Sequence, residues 1–298
     1  MAQTREIRRQ IESIGKTRQI TDAMHRIAYV KMNHARKRAE NLRPHAHALL
    51  RIVARLMRVD RDYVPALMQV RAQRRVGLIV VTTDRGLCGA LNARLLARCQ
   101  TQIDQWQAQQ CQISITAIGS RGAQALVRAG HALQAEATNI GDVPDLDVEA
   151  LLGAISVPLH AFLAGQIDAI HVASNHFVNA LTHQPVLARF APFDPALAPE
   201  LPGAHTGAMS VDYLYEPDAH TVINGVLLRY VETAILRAIL ENVACEHCAR
   251  MSAMQAASDN AGHLIEDLTR RYHKTRQEAI TRELAEITGG AQALQDKR

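Results

Sequence analysis

The run Ala249-Arg-Met-Ser-Ala-Met-Gln-Ala-Ala-Ser-Asp-Asn-Ala261 decides the architecture of this chain. It lies inside a stretch from about Asp218 to Leu294 that contains no proline and repeats apolar residues at steps of three and four, so a single helix is predicted there. A helix of about 70 residues extends roughly 100 Å. Its alanine-rich stripe lets a second helix come close, which is typical of a coiled-coil seam.

A matching helix is predicted at the other end of the chain, from about Thr4 to Met57, with Pro44 as a point of kinking. Its narrow apolar stripe comprises Ile7, Ile11, Ile14, Met24, Ile27 or Ala28, Ala35, Ala39, Leu42, Ala46, Leu49 and Val53. We therefore predict that the two terminal helices form a long antiparallel coiled-coil shaft, which takes up residues 1–60 and 213–298.

The charge of the chain is unevenly placed. The whole sequence carries +5, whereas residues 1–56 hold thirteen basic and four acidic side chains, a net charge of +9. Such a helix favours an acidic partner surface, which nucleic acid, anionic lipid or an acidic protein face can provide. No signal peptide and no apolar run of about 18 residues is found, and five cysteines without a disulfide framework favour a cytoplasmic location.

The middle of the chain, residues 70–195, predicts an α/β body. Strands are predicted at Val76–Thr83, Gln112–Ile118, His131–Ala137, Ala169–Asn175 and Val186–Phe193, with helices at Leu91–Gln107, up to Gly130, and at Val148–Leu163. Strands that alternate with helices indicate a Rossmann-like sheet of the parallel type with right-handed crossovers. Residues 196–212 are rich in Pro, Gly and Ala and predict a linker.

The loop Thr83-Asp-Arg-Gly-Leu-Cys-Gly-Ala90 is the nearest approach to a ligand-binding motif. One interpretation is a ligand loop at the carboxyl end of a parallel strand. The other is a tight turn that uses Gly86 and Gly89, with the Asp84 side chain on backbone donors. The second is favoured because neither a Walker loop nor the glycine spacing of a dinucleotide site is present, so no cofactor is predicted.

The segment Cys245-Glu-His-Cys248 places two thiols at i and i+3 and could supply half of a zinc site. No second pair has the spacing to complete it, so we favour two small interface residues and predict no metal. Ser258-Asp-Asn260 interrupts the apolar pattern of the final helix and fits a polar layer that sets the register of the seam.

Five segments decide between these possibilities. They are, in chain order, Glu6-Ile-Arg with Ile11 and Thr17-Arg-Gln-Ile-Thr-Asp-Ala-Met24 with Lys31-Met32; Asp84-Arg-Gly-Leu-Cys-Gly89; Tyr213-Leu-Tyr-Glu-Pro-Asp218; Ala249-Arg-Met-Ser-Ala-Met254 with Ala257-Ser-Asp-Asn260; and Ile280-Thr-Arg-Glu-Leu-Ala-Glu-Ile-Thr-Gly-Gly-Ala-Gln-Ala293. Together they closely resemble the gamma subunit of F-type ATP synthases over nearly the full length.

The resemblance implies a non-catalytic central rotor shaft. Its partners would be a hexamer of alpha and beta subunits, an epsilon subunit and a membrane ring of c subunits, with no nucleic acid and no homo-oligomer. Ion flow through the ring would turn the shaft and drive the beta subunits through their nucleotide states in ATP synthesis or hydrolysis. The location would be peripheral, on the cytoplasmic face of the inner membrane.

The resemblance also implies roles for single residues, and they fall into three groups. Met24, Arg276, Thr281 and Glu283 match beta-subunit contacts; Tyr213 and Glu216 match the foot on the c ring; Ile287, Ala291 and Leu294 belong to the tip that turns in its bearing. The structural alternatives are exposed helix residues for the first group and a polar turn with a buried tyrosine for the second.

The chain departs from the family pattern at His25-Arg-Ile-Ala-Tyr-Val-Lys-Met32, at Asp22, and at Cys245 and Cys248. One interpretation of these departures is a divergent copy of the subunit. The alternative function is a nucleic-acid-binding coiled coil that uses the basic helix, although that helix lacks stacking aromatics. A soluble nucleotide-binding α/β enzyme is a weaker third hypothesis.

Overall fold

The computed structural model describes residues 2–57, 63–141, 146–179, 182–194 and 215–295. The helices are α1 (Ala2–Asn41), α2 (Arg43–Leu56), α3 (Leu91–Ala108), α4 (Ser120–Arg128), α5 (Val148–Leu163) and α6 (Ala219–Gln295), and a short 3-10 turn spans Ala66–Met68. The strands are β1 (Arg75–Val81), β2 (Gln112–Ile118), β3 (Leu133–Ala137), β4 (Ala169–Asn179) and β5 (Thr182–Ala191). The predicted linker, 196–212, lies outside the described residues.

The five strands form one sheet in the order β3-β2-β1-β4-β5. Strands β1 to β4 are parallel, which confirms the predicted α/β alternation, whereas β5 runs antiparallel to β4. The sheet is therefore mixed, because only two residues separate β4 from β5 and a parallel partner needs a crossover of a dozen or more. The strand β5 also begins at Thr182, four residues before its predicted start.

Both faces of the sheet are covered. Val76, Leu78 and Val80 of β1 share a buried cluster with residues of α3 and α4, whereas Ile79 and Val81 share another with residues of α5. The strand order explains why α5 lies on the other face from α3 and α4. From β1 the chain adds β2 and then β3 on one side, and afterwards it returns past β1 to add β4 on the other side. Because each crossover is right-handed, this reversal of direction puts α5 on the opposite face of the sheet.

The chain divides into two compact units, residues 1–28 with 251–298, and residues 29–250. In the first unit α1 and α6 run antiparallel, since the His25 ring contacts the Met251 carbonyl oxygen at 3.1 Å while Arg18 lies beside Gly262. Small or slender side chains are buried along this pair: Thr21 and Ala28 on α1, and Met254, Ser258 and Ala261 on α6. This is the antiparallel helix pair predicted from the alanine-rich stripe.

The N-terminal helical stretch is not continuous. The helix α1 ends at Asn41 and α2 begins at Arg43, so the prediction of one helix to Met57 is wrong at Leu42. Pro44 lies in the first turn of α2, where its missing N–H has no intrahelical partner to lose. Within the second unit, Ala46, Leu50 and Val53 of α2 share a buried cluster with residues of α6 and of the sheet.

Asp168 fastens β4 to β1 at their amino ends. Its carboxylate accepts bonds from the backbone N–H groups of Arg74 and Arg75, at 3.1 and 2.9 Å, and from the Arg75 guanidinium at 2.9 Å. Burial alone would raise the pKa of Asp168, but the Arg75 guanidinium and the two N–H groups outweigh it and lower that pKa below its usual value. The ionised carboxylate is thus stabilised by the folded chain.

We predict that Asp168→Asn lowers the free energy of unfolding by about 1–2 kcal/mol at pH 7, because one charge-assisted bond is lost. A carboxylate with a lowered folded pKa stabilises the fold above its unfolded pKa of about 3.9, and this contribution disappears as pH falls through the folded value. Urea unfolding of both full-length chains between pH 7 and pH 3 should show the difference shrinking only below about pH 4. A difference independent of pH would contradict this.

We also predict that Gly119→Ala lowers the free energy of unfolding by about 3 kcal/mol or more. Gly119 has φ +92°, and a Cβ there would lie 2.4 Å from the Thr82 carbonyl oxygen. Gly130 has a similar φ of +88° with nothing within 4 Å of an added Cβ. The matched variant Gly130→Ala should therefore cost only about 1–2 kcal/mol in the same urea titration. Equal losses would mean that the close approach to Thr82 is unimportant.

Candidate partner-binding surfaces

Asp84 joins the loops at the carboxyl end of the sheet. Its Oδ1 accepts from the Ser120 N–H at 2.8 Å, the Ser120 hydroxyl at 2.7 Å and the Asn139 N–H at 3.0 Å, and its Oδ2 accepts from the Ile140 N–H at 3.1 Å. The loops after β1, β2 and β3 therefore meet on one carboxylate. Backbone donors of this kind bind phosphate in nucleotide-binding folds, and here a side chain of the same chain uses them.

The turn interpretation of the Asp84 loop is thus supported, with one difference. The donors belong to the loops after β2 and β3, whereas α3, the helix that follows the loop, has Ala90 at its N-cap and no capping side chain. Sequence reasoning found the residue and the kind of donor but could not name the donors, because they are brought together only by the sheet.

Arg250 and Asn242 are polar residues of α6 to which the sequence assigned no role. Arg250 is only 8% exposed, and its guanidinium donates to the Glu246 carboxylate at 2.6 Å and to the Gly86 carbonyl at 3.1 Å. The buried Asn242 side-chain oxygen accepts from the Asn175 N–H at 3.1 Å and from its side-chain amide at 2.9 Å. A helix-to-sheet contact of this kind leaves no signal at short sequence spacing.

The last part of α6 presents one exposed, mixed face, which we call the α6 outer face: Arg276, Ile280, Glu283, Leu284 and Ile287. Steps of three and four residues put these side chains within roughly a quarter-turn of one another. Ile280, Leu284 and Ile287 are 45%, 58% and 65% exposed, and Arg276 and Glu283 are exposed as well. Thr281 is exposed but lies to one side of this face. Large apolar side chains left in water along a helix mark an interaction surface.

Met24 belongs to a similar face on α1. Ile20, Met24 and Ile27 follow one another at steps of four and three, and Ile20 and Ile27 are 60% and 55% exposed while Met24 is half-buried. The neighbouring row, Thr21, His25 and Ala28, is the one directed toward α6. The sequence left open whether Ile27 or Ala28 belongs to the apolar stripe, and the buried one of the two is Ala28.

The predicted foot and tip are described only in part. Glu216 is exposed, and Asp218 caps α6 by accepting from the Thr221 N–H at 2.8 Å and its hydroxyl at 2.7 Å. Pro217 directly precedes this cap. Tyr213 lies outside the described residues, and Ala291 and Leu294 lie in α6 but their side chains fall outside the description.

The Cys245 and Cys248 thiols are packed into the second unit. The Cys245 thiol donates to the Asn175 carbonyl at 3.4 Å, and burial, together with nearby Cys248 and Glu241, raises its pKa above the usual value. Burial raises the pKa of Cys248 as well. Metal ligation requires the thiolate, which this environment disfavours. Over the described ranges, no group of three or more His, Cys, Asp or Glu side chains has the geometry of a metal site.

Residues 3–294 match the sequence model of the family described as ATP synthase. The ATP synthase gamma chain of Polynucleobacter asymbioticus is 47% identical to this chain, covering 99% of it and 100% of the relative. That of Ralstonia nicotianae is 44% identical, covering 99% and 100%. The chain belongs to the ATP synthase gamma chain family. Its gamma chains are structural rotor subunits and are not catalytic by themselves, so the predicted function is confirmed.

Solved structures agree on the fold. A chain of the Euglena gracilis mitochondrial ATP synthase is 20% identical, with a TM-score of 0.65, covering 98% of this gamma chain and 95% of that chain. A chain from the central stalk and c ring of the Tetrahymena thermophila enzyme is 23% identical, with a TM-score of 0.59, covering 80% and 99%. A gamma chain is a peripheral subunit, and none of the helices in the described segments has the length and apolar character needed to cross a bilayer.

We predict that Asp84→Asn loosens loops that are distant in sequence from the mutation. An amide nitrogen cannot accept hydrogen bonds, so the N–H donors beside it are left without a partner, at a cost of about 1–3 kcal/mol in the free energy of unfolding. Hydrogen exchange should become faster at Ser120, Asn139 and Ile140. Asp104→Asn, a change of the same kind on the exposed side of α3, should leave both quantities within about 0.5 kcal/mol of wild type. Unchanged exchange at Asn139 and Ile140 would contradict the assignment.

Proposed function

We propose that this gamma chain works as the central-stalk rotor between a c ring and a hexamer of alpha and beta subunits, and that it contacts the beta subunits through Met24, Arg276, Thr281 and Glu283. The observation that carries the proposal is the α6 outer face, where apolar side chains lie exposed between an arginine and a glutamate. Such a face suits a bearing, because each apolar side chain exchanges one partner for another without leaving a buried charge unpaired.

The two charges on the α6 outer face give the contact its specificity. Arg276 and Glu283 are both exposed, so neither is desolvated before the partner arrives, and each can make a charge-assisted hydrogen bond across the interface. Bonds between partly exposed charges are of moderate strength. A rotor needs this, since its contacts must form and break once for every beta subunit that it passes.

The proposal extends to the remaining parts of the chain. Residues 1–60 and 213–298 form the shaft, 70–195 the body and 196–212 a linker, with Tyr213 and Glu216 on the c ring and Ile287, Ala291 and Leu294 at the tip. The exposed Glu216 next to the capped start of α6 supports the foot. An epsilon subunit completes the rotor, and the complex lies on the cytoplasmic face of the inner membrane.

We predict that Arg276→Ala and Glu283→Ala each reduce ATP synthesis by the assembled complex by about tenfold, the effect of losing one charge-assisted bond. Glu278→Ala is the matched control: Glu278 is equally exposed but lies on the opposite side of α6, about 200° from Arg276. Rates would be measured in membrane vesicles, normalised to the amount of assembled complex. Because all three side chains are exposed, the thermal unfolding of the chain should not change. Equal effects at 278 and 283 would overturn the proposed contact.

A further inference from the structure

A basic groove that the proposed rotor contacts do not involve lies at the amino end of the sheet. It has a volume of about 550 Å³, and its lining comes from the segments that lead into β1, β2 and β4: Arg71, Ala72, Arg74, Arg75, Gln110, Gln112 and Asp168. We call it the amino-end groove. Three arginines and one aspartate give its lining a net charge of +2.

The one carboxylate that lines the groove is already occupied. The Asp168 side chain is only 5% exposed, and it accepts from the Arg75 guanidinium at 2.9 Å and from the backbone N–H groups of Arg74 and Arg75. Asp168 therefore compensates the charge of Arg75 and is not available to a second guanidinium. The charges of Arg71 and Arg74 remain.

Arg71 is a donor whose orientation is fixed. Its Nη1 donates to the carbonyl oxygens of Phe162 and Ile167, at 2.8 and 3.3 Å, and its guanidinium carbon lies 4.8 Å from the centre of the Phe162 ring. These partners carry no charge, so they hold the guanidinium without neutralising it. Its Nη2 makes one long contact of 3.5 Å with the exposed Gln69 side chain, which leaves Nε and Nη2 for a ligand.

Arg74 supplies the second charge. Its backbone is anchored on both sides, because its N–H donates to Asp168 at 3.1 Å and its carbonyl accepts from the Gln112 N–H at 2.8 Å. Its side chain is exposed, and within the described part of the chain its guanidinium makes no hydrogen bond or ion pair. Two anchored arginines without a carboxylate partner favour an anion between them.

The lining of the groove also indicates which anion it suits. A guanidinium binds two phosphate oxygens at once, and the side-chain amides of Gln110 and Gln112 add further donors. None of the described residues that line the groove is aromatic or carries a large apolar side chain, so a nucleobase finds no surface on which to stack. The chemistry therefore favours a phosphate group on a small polar carrier.

The groove lies at the end of the body from which α6 starts. Since β5 is antiparallel to β4, it ends beside the start of β4, and just after it the Phe193 ring lies 5.1 Å from the ring of Tyr230. Near the other end of β4, Asn175 contacts Asn242. The strand β4 and this part of α6 thus run in the same direction, and the amino end of the sheet lies toward the start of the helix.

We propose that the amino-end groove binds the phosphate group of an anionic phospholipid headgroup, with Arg71 as the fixed donor and Arg74 as the exposed one. The phosphate chemistry is inferred from the groove alone. The choice of a lipid rests on the proposed rotor function, in which the start of α6 stands toward the membrane ring. Because Arg74 reaches solvent, the attraction is weakened by salt, and headgroups can exchange as the body turns.

The test measures binding of the full-length chain to phospholipid vesicles. Flotation would compare vesicles of phosphatidylglycerol mixed with phosphatidylcholine against vesicles of phosphatidylcholine alone. Arg74→Ala should weaken binding to the anionic vesicles by about fivefold, the effect of one arginine at an anionic surface. The basic helix α1 is the same in every variant, so its contribution cancels from the comparison.

The matched control is Arg98→Ala, because Arg98 is likewise an exposed arginine and lies on α3 outside the groove. It removes the same charge and should change binding by less than about twofold, since exposed charges far from the bound group are largely screened. Arg71→Lys keeps the charge but loses the planar fork, so it should show a partial loss. Its thermal unfolding is measured alongside, because Arg71 also bonds two carbonyl groups.

A second arm separates a headgroup from free phosphate and from an acidic protein face. Inorganic phosphate and a polyglutamate peptide are titrated separately into the wild-type chain and into Arg74→Ala. Binding of inorganic phosphate that depends on Arg74, without such dependence for vesicles, would overturn the lipid in favour of a soluble phosphate ligand. Dependence on Arg74 for the peptide alone, or for none of the three probes, would overturn the phosphate site.

The failure of this proposal is distinguishable from the failure of the rotor function. The binding measurements use the chain without alpha and beta subunits, so a negative result leaves the rotor function untouched. A failure of the rotor contacts would instead appear as unchanged ATP synthesis in the Arg276→Ala and Glu283→Ala complexes, whatever the vesicles show.

Discussion

A helix of 77 residues whose described side chains near the far end are all exposed is the constraint on which this structure depends. Every side chain described from 281 to 288 is exposed, whereas those from about 239 to 250 are largely buried. Helices gain most of their stability from packing, so the exposed part of α6 requires a surface supplied from outside. The small residues between α1 and α6 let the two helices pack closely, and in the proposed function the hexamer supplies the outside surface.

The body shows how one side chain of an α/β fold can bind the backbone donors at the carboxyl end of its sheet. A doubly wound sheet ends in loops whose N–H groups are suited to bind anions, and in this chain Asp84 occupies them. The same carboxyl ends are then free to hold a helix through Arg250 and Asn242. The fold is familiar from nucleotide-binding proteins, but its chemistry here serves a mechanical connection.

Much of the secondary structure could be predicted from patterns among neighbouring residues. The apolar run of β1, the bounds of β2 and α5, and the start and end of α6 all follow from periodicity and from proline, because those signals are contained in neighbouring residues. Pro44 marked a point of kinking in the N-terminal stretch, but the full break at Leu42 escaped prediction, since a single residue between two amphipathic helices leaves the apolar spacing almost unchanged. The antiparallel direction of β5 escaped prediction, since the two residues that separate it from β4, Ala180 and Leu181, carry no turn signal in the sequence.

The candidate surfaces, too, could be predicted from the sequence only in part. The resemblance to the family supplied Met24, Arg276 and Glu283, and their exposed faces become visible only when the helix geometry is added. Asn242 and Asn175 could not be paired from the sequence, because they are 67 positions apart and meet only when α6 packs on the sheet. Polar contacts between elements depend on the tertiary fold, and one sequence does not encode them at any fixed spacing.

The central claim is that α1 and α6 turn as one axle inside the hexamer, and a cross-link between them tests it most directly. His25→Cys and Met251→Cys, joined by a short thiol cross-linker in the assembled complex, should bond within one gamma chain in high yield and leave ATP-driven rotation at its unlinked rate. Failure of the two positions to cross-link, or a cross-link that stops rotation, would contradict the account.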